Sequence, residues 1–187
     1  MIVGMHFGAV FVRSSSIRRV IGALEQLMDE SDRARTQERG LEPTPDDVTV
    51  EKIVRSFAVL PEEDDWISVL EDGHSLDDGG VAEGLSEILQ TETLHFTYSD
   101  AQKAWSFTRY VDGQPLDAGG AEDRDYDVSA MQFLEQNSVP HFGVYYEEIA
   151  ASAGPDAPAL EGSLEILGDI SIRPPMGTEI VTFRRRP

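Results

Sequence analysis

Hydrophobic residues along this chain follow two rhythms, one of period two and one of about 3.6, and the switches between them mark out its elements. Residues 5 to 13, Met5 to Arg13, are rich in β-branched and aromatic side chains and read as a strand. Ser14, Ser15 and Ser16 then offer N-cap oxygens. Ile17, Val20, Ile21, Leu24, Leu27 and Met28 repeat at helical spacing. The charged segment from Asp29 to Arg39 reads as the fraying end of that helix, and Gly40, Pro43 and Pro45 as a surface loop.

Strand character returns over residues 48 to 60, through Val48, Val50, Ile53 and Val54 to Phe57-Ala58-Val59-Leu60, where Pro61 stops it. The turn Glu62-Glu63-Asp64-Asp65 leads into a strand from Trp66 to Leu70. Asp77-Asp78-Gly79-Gly80 opens a second helix, with Val81, Leu85, Ile88 and Leu89 on one face. Leu94, Phe96 and Tyr98 alternate with polar positions, as do Trp105, Phe107 and Val111. The short Ser99-to-Lys103 segment makes those two strands a hairpin, and Asp112-Gly113 ends its second arm. Residues 114 to 127 read as a Gly- and Asp-rich loop. Val128, Met131 and Leu134 predict a third helix. Pro140 with Phe142, Tyr145, Tyr146 and Ile149 predicts a fourth, with a strand as the alternative. Leu160, Leu164 and Leu167 predict a short helix ended by Gly168. Ile170, Ile172, Ile180, Val181 and Phe183 predict a final pair of short strands around Pro174-Pro175.

The expected fold is α+β: a mixed or mainly antiparallel sheet in the order β-α-β-β-α-β-β, with helices packed on one face. The 187 residues suit one domain over 1–155. Residues 156–187 are expected to form an extension that docks on that domain or on a neighbouring subunit.

Charge then narrows the partners. Lys and Arg number 15 against 35 Asp and Glu, a formal net charge of −20. Nucleic acid and anionic membrane both demand basic residues, so neither is an expected ligand. A basic protein is, because the field would steer it. The plain alternative reading of the charge is solubility, or adaptation to a salty medium. Cysteine is absent, which removes disulfides, thiol nucleophiles and thiolate metal sites, and fits a cytoplasmic protein. No apolar run approaches the ~20 residues that span a bilayer.

Candidate chemistry is sparse. Asp123-Arg124-Asp125-Tyr126-Asp127 has the spacing that begins a calcium loop, but Val128 replaces the glycine and Leu134 the bidentate glutamate. His6, His74, His95 and His141 show no metal-ligand spacing. Phosphate-cradle and nucleophile-elbow motifs are missing. With these motifs missing no cofactor is expected, and an enzyme is the less favoured reading. Asp72 and His74 share a loop and are the residues a small-molecule or metal pocket would use. The acidic turn Glu62, Glu63, Asp64 and Asp65 is expected to be solvated and open to a partner. So is a patch of Asp100, Arg109 and Tyr110, since Tyr and Arg are favoured in interface hot spots. Alternation puts Trp105 and Phe107 on one sheet face and Tyr110 on the other. Arg184-Arg185-Arg186 is expected to pair with the chain's own surface or with a neighbouring subunit.

Trp66-Ile67-Ser68-Val69 with Glu71-Asp72, Leu85-Ser86, Leu94 to Asp100 and Phe107-x-x-Tyr110-x-Asp112-Gly113 resembles a group of small uncharacterised bacterial α+β proteins. In size and acidity these resemble immunity proteins that neutralise toxins. The resemblance covers residues 50 to 150, and its motifs are structural. It implies a protein-binding, non-enzymatic module of immunity or regulatory type that masks a basic partner. The alternatives are a small-molecule or metal-binding protein or enzyme with a pocket between sheet and helices, and a structural module that oligomerises through its C-terminal tail.

Overall fold

Ser16 starts the first helix as the serine run predicts: its Oγ accepts the Arg19 N–H at 3.4 Å. This computed structural model describes residues 6–14, 16–37, 54–71, 78–99, 102–122, 124–140, 164–166, 170–172 and 176–187. In chain order the elements are β1 (His6–Arg13), α1 (Ile17–Glu30), β2 (Arg33–Thr36), β3 (Val54–Val59), β4 (Trp66–Glu71), α2 (Asp78–Leu89) and β5 (Glu92–Ser99). They continue with β6 (Ala104–Val111), β7 (Gln114–Glu122), α3 (Tyr126–Gln136), β8 (Leu164–Ile166), β9 (Ile170–Ile172) and β10 (Glu179–Arg185).

Eight strands form one sheet in the order β2-β10-β3-β4-β1-β5-β6-β7, and every pairing in it is antiparallel. The α+β class is therefore as expected, but the element order is not, because β2 and β7 are additional. Period-two alternation gives the sheet two apolar faces. Val10 and Val12 of β1, Phe57 and Val59 of β3, and Ile67 and Val69 of β4 are buried with Val20, Leu24 and Met28 of α1 and Val81 and Leu85 of α2. On the other face Ala9, Phe11, Leu60, Trp66, Leu94, Phe96 and Trp105 are buried with Ala130 and Leu134 of α3. The expectation of helices on one face is thus corrected. A sheet apolar on both sides must be covered on both, and α3 covers the second.

Three further expectations are corrected. Residues 114 to 122 are the strand β7, not loop. Within the charged segment after α1, Asp32 takes φ 58° and turns the chain into β2, whose Arg33 is buried. Residues 164 to 166 are strand β8, not helix, and pair with β9 in a separate two-stranded sheet. The two final strands are present as expected, β9 and β10, but in different sheets, β10 lying between β2 and β3. The fourth helix after Pro140, the loop at 40–45 and the 48–53 portion of the second strand lie outside the described residues.

Candidate functional site

The acidic turn is a tight hairpin corner. Glu63 and Trp66 exchange both backbone hydrogen bonds at 2.9 Å, and the two residues between them, Asp64 and Asp65, have φ of 51° and 69°. Positive φ at both central positions is the twist that joins right-twisted strands, and aspartate tolerates it better than most residues. Glu62 Oε1 accepts the Asp65 N–H at 2.7 Å, and the Asp65 carbonyl accepts the Ser14 N–H at 3.1 Å, pinning the corner to the end of β1. Glu62, Glu63, Asp64 and Asp65 are all exposed and have no ion-pair partner among the described residues. Such a group supplies field, not acid–base catalysis, because no carboxylate sits in a drier environment than its neighbours.

Arg109 and Tyr110 do not form one patch. They are consecutive on β6 and face opposite sides of the sheet. The Tyr110 hydroxyl and His95 Nδ1 converge at the start of α2, where a Cβ on Gly79 would lie 3.7 Å from each. Arg109 instead joins a row of charges that crosses the sheet on the α3 side. Arg13 Nε donates to Glu92 at 3.1 Å, Arg109 Nε lies 3.3 Å from Glu92 and 3.6 Å from Asp117, and Arg109 Nη2 donates to Asn137 at 2.6 Å. The Arg13 guanidinium also sits 4.4 Å over the Trp66 ring. The row closes the polar end of an aromatic stack in which Phe107 and Phe133 lie 4.2 Å apart.

The turn between β5 and β6 lies at the far end of the sheet. Ser99 pairs with His6, whereas Trp66 beside the acidic turn pairs with Arg13, seven residues along β1 and roughly 23 Å away. Asp100, Asp72, His74, Asp77, Asp123 and His141 lie outside the described residues. Arg186 pairs with Asp29 and lies 3.8 Å from Asp32, so that part of the terminal basic run serves the chain's own surface.

A pocket of about 290 Å³ is lined by Arg13, Ser14, Arg19, Leu89, Gln90 and Thr91. Most of its polar groups are already engaged. Thr91 Oγ1 donates to the Arg13 carbonyl, Ser14 Oγ accepts the Ser16 N–H, and Arg13 is held by Glu92.

An exposed sheet edge lies where the sequence predicts loop. Asp112 and Gly113 take φ of 51° and 73° between the paired residues Val111 and Gln114, so they are a two-residue hairpin turn that launches β7. The strand pairs with β6, ends the sheet, and is exposed from Gln114 to Gly120. Leu116, 62% exposed, is the extra residue where the register shifts. The Asp112-Gly113 pair was the available signal. Residues 114–122 hide it because Gly119, Gly120 and two acids have poor strand propensity.

Among the described residues no cluster of ligating side chains could hold a metal ion, and no helix is long and apolar enough to cross a membrane. No family model, curated protein or solved structure matches the chain.

Proposed function

We propose that this protein is a binding module for a basic protein, of immunity or regulatory type, whose acidic surface masks the partner's own functional surface. The observation that carries the reading is where the charges go. Arg13, Arg55, Arg109 and Arg186 are each engaged by acids of the chain itself. Meanwhile Glu62, Glu63, Asp64 and Asp65 on a tight corner, and Asp112 and Glu122 at the two ends of β7, face solvent with no ion pair among the described residues. Long-range attraction of a basic partner follows from that arrangement, and it acts mainly on the rate of association.

The test is recovery of the intact protein from its source cells, native mass spectrometry of what accompanies it, and association kinetics of the recovered pair. We expect a stoichiometric basic protein whose association rate falls ~10-fold or more as salt is raised. A partner that is acidic, or a rate indifferent to salt, would sink the reading.

A further inference from the structure

We infer that β7 is the docking edge for this partner, and that the partner supplies an extended basic segment which pairs with it as a ninth strand. The inference rests on the reading above and makes it specific. A terminal strand presents a row of backbone donors and acceptors to solvent, and natural proteins blunt such rows with prolines, bulges and inward charges. The first half of β7 has two of these, Pro115 and the bulge at Leu116, and its Asp117 already faces Arg109 across the strands. From Ala118 to Ala121 there is no such device, and the side chains there are no larger than a methyl group. The two glycines have an inward reason, since a Cβ on Gly120 would lie 2.2 Å from the Trp105 carbonyl oxygen. Their outward consequence is that a second backbone can approach β7 without obstruction.

Charge selects the occupant. Asp112, Asp117, Glu122, Asp125 and Asp127 lie along or beside β7 and are all exposed. Glu87 of α2 reaches the same edge, its Cβ 2.8 Å from where a Gly113 Cβ would stand. Among the described residues, Arg124 and Lys103 are the exposed cations near it, both at the Glu122 end and both outnumbered by these acids. A second copy pairing edge to edge would set Asp117 and Glu122 against the same carboxylates, which is unfavourable. An extended segment with alternating Lys or Arg would instead place cations beside Asp117 on one face or Glu122 on the other. Main-chain bonds would supply affinity and those pairs the choice of partner. Leu116 adds an apolar contact at the start of the strand.

The test uses the full chain, isotope-labelled, and a peptide of alternating lysine and valine as long as β7, with a glutamate–valine peptide as control. The lysine peptide should slow exchange of alternate amides within 114–122, those facing away from β6, by ~10-fold or more at saturation. Glu122→Gln should weaken binding several-fold, and Ala118→Lys, at an exposed position, should abolish it. Resonance changes confined to Glu62–Asp65, with β7 exchange unaltered, would overturn the docking edge while leaving the basic-partner reading intact. Equal binding of the glutamate peptide would overturn the charge argument. Failure of the lysine peptide to bind would overturn the edge, and the basic-partner reading would then stand or fall on the native complex.

Discussion

Arg55 and Glu71 meet across β3 and β4 in a two-pronged ion pair, Nε to Oε1 at 2.8 Å and Nη2 to Oε2 at 2.7 Å. The carboxylate side chain is 4% exposed and the guanidinium 17%, and Arg55 also lies 5.2 Å over the Phe57 ring. Neither charge is easily left behind. Arg55→Met takes the two-pronged partner from a nearly buried carboxylate and Glu71→Leu takes it from a mostly buried guanidinium, so each should cost about 2–3 kcal/mol. The double variant removes both desolvation penalties and should return to within ~1 kcal/mol of the parent. Urea titrations at constant slope read this directly, and additive losses would show that the two groups act independently. The exposed Arg186–Asp29 pair should by contrast contribute under ~1 kcal/mol. Neither pairing was legible in the sequence. Arg109 stood out as an interface residue, yet its partners Glu92, Asp117 and Asn137 come from three other elements. Which acid meets which base depends on strand order, and a one-dimensional pattern does not contain it.

Elements whose periodicity is long and clean were legible: β1, α1, α2 and the β5–β6 hairpin. Those missed are short or built of residues with conflicting preferences. The sequence of β2, Arg-Ala-Arg-Thr, is one turn's length and polar, and only its pairing with β10 makes it a strand. In β7, Gly119 and Gly120 read as loop because their reason is tertiary, the closeness of β6. Gly120→Ala should therefore force the backbones of β6 and β7 apart and cost about 2 kcal/mol or more, as overpacking does. Gly22, on the exposed side of α1 with nothing within 4 Å of an added Cβ, is the control. Gly22→Ala should stabilise by roughly 0.5–1 kcal/mol through helix propensity alone. Thermal unfolding of the two variants should move in opposite directions. A neutral Gly120→Ala would mean that β7 is free to shift, and would weaken its standing as a rigid edge.

At the scale of the molecule, attraction within the sheet opposes repulsion across the surface. Sheet order joins distant parts of the chain, with β10 seated between β2 and β3 and burying Val181 and Phe183. The repulsion comes from the formal charge of −20. A folded chain of this mass has roughly 9,000 Å² of surface, so excess charges lie on the order of 20 Å apart. At about 0.01 M salt the screening length is about 30 Å and neighbouring charges repel; at about 0.15 M it is about 8 Å and they scarcely sense each other. The unfolded chain holds its charges farther apart, so the low-salt penalty falls mainly on the folded state. Adding sodium chloride should therefore raise the urea midpoint, with most of the rise complete by ~0.15 M. Salt effects on apolar burial would instead keep growing toward ~1 M, which separates the two causes. A flat or falling midpoint over the low range would mean that ion pairs such as Arg55–Glu71 outweigh the surface repulsion. The acidic surface would then be locally compensated, and steering of a basic partner would lose its source.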